Sequence, residues 1–243
     1  MNNNFISQIQ NLTLDFKGKT LFKDLNFNIL ENTNSALLGS SGVGKSTLLR
    51  CIANLEEKNI TNGEIVLKKN TNIAWLSQEN SLYPWLSILD NVQLYHHLKG
   101  TKTNKTLQKA KELLNQVNMS EHCEKKTYEL SGGQKQRVAL ARTLMQDANL
   151  ILMDEPFSAL DAITKIQLQD LTCKLLKNKT VVLVTHDPQE AIKLTNHIYI
   201  LKNQPVNIEE VAFLEGTLPH KISNDKLWNL QEELISKLKG NNI

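Results

Sequence analysis

Apolar residues recur along the chain in short runs separated by polar turns, a pattern that predicts alternating strands and helices. Between Phe5 and Leu38 the runs alternate with polar residues or are β-branched, and turn signals such as 17–19 divide them, which predicts antiparallel strands. SALLG, which ends at Gly39, predicts a brief apolar strand. The spacing from Lys45 to Leu55 then predicts a helix, and the runs GEIVL and NIAWL predict two more strands.

The middle of the chain changes to helical periodicity. Apolar residues recur at helical spacing from Ser87 to Leu98 and from Asn104 to Val117, so both segments are predicted helices. NLILM and TVVLV follow as predicted strands with helices between them, and such continuous apolar strands indicate a parallel sheet buried on both faces. A helical subdomain at about residues 80–147 is therefore predicted to interrupt the strands.

The last part of the chain predicts two strands, YILK and EEVAFLEG, and a closing helix from Asn224 to Lys239. Its leucines form one stripe, which we interpret as core packing, with a partner-binding helix as the alternative. The fold prediction is α/β: a mainly parallel sheet, an N-terminal antiparallel β-subdomain and an inserted α-helical subdomain. One domain is predicted at 5–215, and a C-terminal helical extension at 216–243. The leucine stripe of the closing helix comprises Leu227, Leu230, Leu234 and Leu238.

Composition narrows the class of protein. The 243 residues are 40% apolar and 22% charged, which is typical of an ordinary soluble globular protein and argues against disorder. A formal charge of +3, with basic residues dispersed among acids, does not favour nucleic acid as a partner. Cys51, Cys123 and Cys173 are widely spaced and are predicted to be free thiols in a reducing compartment. We see no secretory signal and no apolar run of ~20 residues, so we expect a cytosolic chain unless a partner holds it at a membrane.

GSSGVGKS, from Gly39 to Ser46, satisfies the phosphate-loop pattern G-x-x-x-x-G-K-[ST] between a predicted strand and a predicted helix. Its glycines allow backbone amides to turn toward phosphate oxygens, and the following helix adds the positive end of its dipole. Lys45 is predicted to reach the β- and γ-phosphates of ATP, and Ser46 to offer its hydroxyl to Mg²⁺. The predicted ATP-binding residues here are Gly39, Ser40, Ser41, Gly42, Val43, Gly44, Lys45, Ser46 and Thr47.

LILMDEP supplies carboxylates that match this loop. Four apolar residues predict a buried strand, and Asp154 emerges at its end, where it is predicted to hold Mg²⁺ directly or through water. Glu155 is the candidate general base that polarises the attacking water. An acidic pair after an apolar run is often only a strand end, but the phosphate loop upstream favours the catalytic interpretation.

A second phosphate-facing element is predicted in LSGGQKQR, from Leu130 to Arg137. Ser131 and Gln134 fit a capping box at the start of a helix, which is a purely structural explanation. It does not explain Gly132 and Gly133, because glycine is a poor choice in a first helical turn unless the backbone closely approaches something such as a phosphate. The structural and functional explanations are compatible.

Taken together, these motifs resemble the nucleotide-binding subunit of an ATP-binding-cassette (ABC) transporter, a family whose signature sequence LSGGQKQR matches. The other landmarks occur in family order over nearly the whole chain, from the phosphate loop through Gln78, LILMDEP and SALD to the Thr185–Asp187 segment. The resemblance implies a P-loop NTPase core with ATP and Mg²⁺ as cofactors. It also implies that hydrolysis is coupled to transport.

The resemblance implies further roles. Phe16 stands in the position of an adenine-stacking aromatic, with a core residue as the alternative. Gln78 is implied to coordinate the metal or the nucleophilic water, and His186 to hydrogen-bond at the γ-phosphate. Asp161 is implied to lie at a subunit interface.

In this family two copies face each other head to tail, so the two phosphate-facing elements of one chain are not expected to share a nucleotide. ATP held by Lys45 of one copy is implied to be covered by Ser131 and Gly133 of the other. The residues predicted to bind ATP in trans are Ser131, Gly132, Gly133, Gln134 and Asp161.

The segment ENSLYPWLSILDNV after Gln78 resembles importer subunits for nitrate, sulfonate, taurine and pyrimidine precursors. It implies a small organic anion, or a pyrimidine- or thiamine-precursor type of solute. In such transporters the helical subdomain receives a helix from an integral-membrane permease. Tyr83, Pro84 and Trp85 would form part of the groove that receives it, with a core position as the alternative for Trp85. The implied partners are a second copy, permease subunits and indirectly a solute-binding protein, at the cytoplasmic face of the inner membrane.

Two segments depart from the family pattern: 32–34 and 202–205 lack the usual glycine. Two other functions are considered beside transport. A soluble cassette ATPase of DNA repair or the ribosome usually carries coiled-coil insertions or two cassettes in tandem, which are not seen here. A module that senses ATP by dimerising, with little turnover, is disfavoured by the intact Glu155 and His186.

Overall fold

The computed structural model describes residues 4–16, 18–220 and 225–239. Strands and helices follow one another along the chain much as the hydrophobic pattern predicts. The strands are β1 (Phe5–Phe16), β2 (Lys19–Leu30), β3 (Asn34–Leu38), β4 (Ile60–Leu67), β5 (Ile73–Leu76), β6 (Leu150–Asp154), β7 (Thr180–Val184), β8 (His197–Lys202) and β9 (Asn207–Phe213). The helices are α1 (Lys45–Ile52), α2 (Ile88–Leu98), α3 (Asn104–Gln116), α4 (Gly132–Leu144), α5 (Ala162–Leu175), α6 (Pro188–Leu194) and α7 (Asp225–Lys239).

An antiparallel sheet in the order β2-β1-β4 forms the N-terminal layer, as predicted. In β2, buried Leu25, Phe27 and Ile29 alternate with exposed residues, so one face packs on the core and the other meets solvent.

A second sheet has the order β5-β6-β7-β3-β8-β9 and is parallel except for β9, which pairs antiparallel with β8. Within it, Ala36 of β3 lies opposite Leu183 of β7 and Ile198 of β8 in parallel register. The prediction of antiparallel strands throughout Phe5–Leu38 is therefore wrong at β3. The physical reason is that residues 35–38 of β3 are all buried, so both faces of the strand are covered, as in a central parallel strand.

The first helix is shorter than predicted, since α1 ends at Ile52 rather than at Leu55. Asn54 adopts φ +58°, and its N–H donates to the carbonyl of Cys51 at 2.9 Å, while the N–H of Leu55 donates to the carbonyl of Arg50 at 2.8 Å. This is a Schellman termination, with asparagine in the left-handed position that glycine usually takes.

Asparagine also explains the two departures from the family pattern. Asn32 has φ +58° in the turn before β3, and Asn203 has φ +63° in the turn between β8 and β9. Asparagine tolerates left-handed backbone because its short polar side chain can hydrogen-bond locally, so it replaces the glycine that each turn would otherwise need.

Helices α2, α3 and α4 pack against one another and share a core with one face of the second sheet. Leu76 of β5 and Met153 of β6 belong to the same buried cluster as Val92, Leu114 and Leu140 of the three helices. The helical subdomain and the second sheet therefore share one hydrophobic core. The limits predicted for the helical subdomain, about 80–147, and for the larger domain, 5–215, stay predictions.

The closing helix α7 packs on the outer part of the second sheet. Leu234 is buried in one cluster with Ala36, Leu38 and Ile200, and Leu227, Leu230 and Leu238 pack against that cluster. The leucine stripe is therefore core packing, and the alternative of a partner-binding stripe is wrong. Of the segments used for prediction, Lys17 and Asn224 lie outside the described residues.

The three cysteines are free thiols, as predicted. Burial raises the pKa of Cys51 to about 12 and that of Cys173 to about 11, so both are held as unreactive thiols. Within the described ranges, the helices are too short or too polar to cross a membrane.

Candidate functional site

The predicted functional segments meet at one edge of the second sheet because three neighbouring strands end there. Strands β6, β7 and β3 are adjacent and parallel, so their carboxyl ends lie side by side. Gly39 follows β3, Glu155 follows β6, and His186 lies just after β7. In open parallel sheets this edge is where ligands bind.

The phosphate loop depends on glycine at two kinds of position. A Cβ added to Gly39 would lie 2.9 Å from the carbonyl oxygen of Leu201 and 2.9 Å from a methyl group of Val43, so no side chain fits there. Gly42 and Gly44 have φ of +79° and +118°, a left-handed backbone that favours glycine. The loop leads directly into α1, which begins after Gly44 without a side-chain cap, so its first backbone N–H groups are available to a ligand.

Lys45 closes the loop on itself. Its side chain is buried, and Nζ donates to the carbonyl oxygens of Gly39 at 2.8 Å and Ser40 at 2.9 Å. Burial lowers the pKa of Lys45, and the nearby carboxylates of Glu155 and Asp154 oppose that shift. An ammonium has three protons, so one is left to donate to a phosphate oxygen.

Ser46 and Asp154 form the pair of oxygen ligands expected of a magnesium site. The Ser46 hydroxyl donates to Asp154 Oδ1 at 2.8 Å. Burial raises the pKa of Asp154, and the hydrogen bond from Ser46 opposes the shift. Among the described residues no three His, Cys, Asp or Glu side chains cluster to hold a metal alone. This donor set fits Mg²⁺, which takes one or two protein oxygens together with phosphate and water.

Glu155 and His186 face each other beside this pair. Glu155 Oε2 and His186 Nδ1 are 3.1 Å apart, and the Glu155 backbone N–H donates to the carbonyl of Val184 at 3.0 Å. Glu155 has φ +46°, a left-handed conformation that costs about 1–3 kcal/mol for a residue other than glycine. Such strain is typical of catalytic positions, and here it occurs at the residue whose carboxylate contacts His186.

A cleft of about 350 Å³ opens between this edge and the antiparallel sheet. Phe16 lies at its mouth with 45% of its surface exposed, so the alternative of a core residue is wrong. The lining residues predicted from sequence are Phe16, Ser41, Gly42, Gly44, Lys45, Ser46, Thr47 and Glu155.

Sequence reasoning missed part of this lining. Lys19, Thr20 and Leu21 of β2 and Gln204 of the β8–β9 turn also face the cleft. No local motif marks them, because their position depends on how the two sheets pack.

Other predicted residues lie outside the lining. Gly39 and Ser40 accept the hydrogen bonds of Lys45, and Val43 is buried in the core. Gln78 lies exposed in the loop after β5 and is not among the described residues that line the cleft. Ser131 to Gln134 and Asp161 are also outside that lining. That the phosphate loop and the signature segment of one molecule do not share a nucleotide stays a prediction.

The signature segment begins α4 with the predicted capping box. Gln134 N–H donates to Ser131 Oγ at 3.3 Å, and Ser131 N–H donates to Gln134 Oε1 at 2.9 Å. A Cβ added to Gly133 would lie 2.5 Å from the methyl carbon of Thr164, whereas one added to Gly132 would meet nothing within 4 Å. Gly133 therefore has a packing reason within the chain, and the argument that both glycines need a phosphate is corrected: it applies to Gly132 alone.

Asp161 caps α5, the helix on which the signature segment packs. Its carboxylate Oδ1 accepts from the Thr164 N–H at 3.0 Å, and this hydrogen bond lowers the pKa of Asp161. The two predicted trans elements thus lie together, joined through Thr164.

Arg142 is a positioning residue that the motifs did not reveal. From α4 it donates to the carbonyl oxygens of Ser81 at 2.7 Å and Asn80 at 2.8 Å, just after Gln78. Burial lowers the pKa of Arg142. The helix that begins with the signature segment therefore holds the loop that follows Gln78.

The aromatic residues of that loop are exposed. Trp85 is 67% exposed and Tyr83 is 39% exposed, with their rings in an edge contact at 5.1 Å between centroids. The alternative of a core position for Trp85 is therefore wrong.

Comparison with known proteins agrees with this geometry. The sequence profile of the family described as ABC transporter matches residues 22–158. An uncharacterized ABC transporter ATP-binding protein of Haemophilus influenzae is 52% identical over 236 residues, covering 96% of this chain and 98% of that protein. An aliphatic sulfonates import ATP-binding protein of Paracoccus denitrificans is 39% identical over 234 residues, covering 95% of this chain and 92% of that protein. Among solved structures, a dimeric ATP-binding cassette in a post-hydrolysis state with ADP and Pi has a TM-score of 0.73 and 32% identity, covering 86% of this chain and 99% of that one.

Proposed function

The chain belongs to the ATP-binding proteins of the ABC transporter family, and from this premise we propose that it powers solute import through a separate membrane permease. Members of this family are ATPases coupled to transport. The observation that carries the proposal is the pair of contacts at the sheet edge, Ser46 with Asp154 at 2.8 Å and Glu155 with His186 at 3.1 Å. They bring three segments that are distant in sequence, at Ser46, at Asp154–Glu155 and at His186, to one edge of the second sheet.

The chain's own residues divide the work of hydrolysis. Amides of the phosphate loop and the Lys45 ammonium bind the phosphates of ATP, and Phe16 stacks on adenine. Ser46 and Asp154, with Gln78, are the residues that would hold Mg²⁺, which when bound neutralises phosphate charge and fixes its orientation. Glu155 accepts the proton of the attacking water, and His186 orients that carboxylate and donates a hydrogen bond at the γ-phosphate.

We propose that the site is completed by a second copy of the chain. Ser131, Gly132, Gly133 and Gln134 begin an exposed helix N-terminus, which favours an anion, and Asp161 lies beside them. These residues are absent from the described lining of their own cleft, so a γ-phosphate held by a partner copy is the fitting ligand. The two copies would close on ATP and separate again after hydrolysis, and this motion would move a partner protein bound to them.

Gly132→Asp tests the trans assignment. The added side chain enters open space, and an acid in the first turn suits the helix dipole, so we expect the monomer to fold and to bind ATP within about twofold of wild type. Opposite a γ-phosphate the same charge is repulsive by several kcal/mol, so ATP-driven dimerisation is lost and steady-state hydrolysis falls roughly a hundredfold. Size-exclusion chromatography with ATP and phosphate-release assays measure both.

Asn104→Asp is the matched control for Gly132→Asp, because it places the same charge at the first position of α3, where Asn104 is exposed. It is expected to keep dimerisation and hydrolysis. Loss of ATP binding by the Gly132→Asp monomer would contradict the trans assignment.

The attached partner is proposed to be a permease, with a solute-binding protein acting indirectly, so that the chain lies peripherally on the cytoplasmic face of the inner membrane. Exposed Trp85 and Tyr83 support a docking site beside Gln78. The likeness to a protein named for aliphatic sulfonate import supports a small organic anion as solute, with pyrimidine or thiamine precursors as the other class implied by the sequence.

Reconstitution tests the proposed function. The chain is purified with its permease in lipid vesicles, and ATP hydrolysis is measured while sulfonates, pyrimidine precursors and the binding protein are varied. We expect hydrolysis to rise severalfold with one sulfonate and its binding protein. Recovery of the chain only with ribosomes or DNA in soluble fractions would overturn the transport assignment.

A further inference from the structure

Lys165 of α5 joins that helix to the start of α6. Its ammonium Nζ lies 2.7 Å from Asp187 Oδ2 and 2.7 Å from Glu190 Oε1. Its backbone N–H donates to the carbonyl of Asp161 at 2.9 Å, so it lies one helical turn after the residue that caps α5. Lys165 is not among the described residues that line the nucleotide cleft.

The two residues that flank His186 belong to the same network. The Thr185 hydroxyl donates to Glu190 Oε2, and the Asp187 backbone N–H donates to Thr185 Oγ1 at 3.0 Å. His186 itself faces Glu155 at 3.1 Å. The short loop Thr185–Asp187 is therefore held on one side by Glu155 and on the other by Lys165 and Glu190.

The charges make Lys165 difficult to replace. The Glu190 side chain is only 4% exposed, and Lys165 is the cation that compensates its carboxylate and that of Asp187. Burial by itself would lower the pKa of Lys165, but hydrogen bonds to Asp187 and Glu190 raise it above its usual value. Without the ammonium, a buried carboxylate would lose its counter-ion, and such a group protonates or turns toward solvent.

We propose that Lys165 is a positioning residue for ATP hydrolysis. It holds the Thr185–Asp187 loop so that His186 meets Glu155, and it links that loop to the turn that carries Asp161. Since Asp161 is assigned to the interface with a second copy, the arrival of the partner is transmitted through the first turn of α5 to His186. This inference rests on the proposed function.

A second ion pair between the same two helices provides the comparison. Lys193 of α6 lies 2.8 Å from Asp170 of α5, which is about 1.4 helical turns beyond Lys165 toward the other end of the helix. It joins α5 to α6 without contact to the loop. If ion pairs mattered only for holding the helices together, the two lysines would be equivalent.

The experiment compares Lys165→Met, Lys165→Arg and Lys193→Met in the full chain assembled with its permease. For Lys165→Met we expect kcat to fall by roughly 10- to 100-fold, since a small misplacement of a catalytic group has effects of that size, while KM and ATP affinity change less than about threefold. Lys165→Arg keeps a cation within reach of both carboxylates and is expected to restore kcat to within about threefold. Lys193→Met is expected to leave kcat and KM unchanged.

A kcat for Lys165→Met within twofold of wild type, or an equal loss in Lys193→Met, would overturn the inference. If Lys165→Met does not fold, the double variant Lys165→Met with Glu190→Gln removes the uncompensated charge, and the same fall in kcat is expected from it. Wild type and Glu155→Gln are measured in parallel. Absence of hydrolysis by wild type would refute the proposed function, whereas hydrolysis that depends on Glu155 but not on Lys165 would refute this inference alone.

Discussion

Glu155→Gln is expected to abolish nearly all ATP hydrolysis while ATP binding is kept. The amide has the same size as the carboxylate and can still hydrogen-bond His186, so the loop and the left-handed backbone at φ +46° are retained. It cannot accept a proton from water, and loss of a general base lowers a rate by roughly 10²- to 10⁴-fold. Because the γ-phosphate then persists, ATP should also stabilise a dimer. Phosphate release, isothermal titration and size-exclusion chromatography measure the three effects.

Glu210→Gln is the matched control for Glu155→Gln. Glu210 forms a second contact between a glutamate and a histidine, 2.7 Å from His197, between β8 and β9 and outside the cleft lining. Its substitution should leave hydrolysis unchanged. Unaltered steady-state hydrolysis in Glu155→Gln would sink the assignment of Glu155 as general base.

Lys45→Ala is expected to remove most of the affinity for ATP. The ammonium is the buried cation of the phosphate loop, and a hydrogen bond to a charged group contributes about 1.5–3 kcal/mol, so affinity should fall roughly ten- to a hundredfold. Lys45→Met keeps the buried aliphatic stem and should show the same loss, which separates charge from packing. Titration of each nucleotide-free protein with ATP measures the affinity.

Lys68→Ala serves as the control for Lys45→Ala, because it removes the same charge from an ion pair with Glu31, just after the ends of β4 and β2 and outside the cleft lining. Its affinity for ATP should equal that of wild type. Full affinity in Lys45→Met would refute the phosphate-binding role of Lys45.

Most elements could be predicted from sequence because their signals are local. The strand TVVLV is β7 from end to end, and Ser87 and Ser131 cap α2 and α4 at the predicted starts. The end of α1 was predicted at Leu55 and lies at Ile52, because the helix is terminated by Asn54. This signal is local too, but asparagine takes the left-handed position less often than glycine does.

The direction of β3 was the larger failure. Its partners β7 and β8 come from far along the chain, so no residue near Asn34–Leu38 shows whether its neighbours run parallel or antiparallel. Only the continuous burial of the run favours a central parallel strand, and that signal is shared with other buried segments.

Sequence alone was enough to predict the phosphate loop, the acidic strand end, the start of the signature helix and their order, and hence the family. Each of these consists of a few neighbouring residues whose backbone conformation and chemistry are set by one another. Gly42 and Gly44 are examples, since a glycine at a positive φ is needed wherever the loop forms.

Which side chains act together depends on the three-dimensional packing of the elements. Three contacts join residues from different elements: the hydrogen bond of Ser46 with Asp154, the contact of Glu155 with His186, and the ion pair of Lys165 with Glu190. Gly133 also depends on a residue of another element, because Thr164 of α5 leaves no room for a side chain at this position. The need for glycine at position 133 is therefore explained by packing and not by a phosphate. The physical reason is that such contacts depend on strand order and on helix packing, which many weak apolar interactions across the whole core determine together.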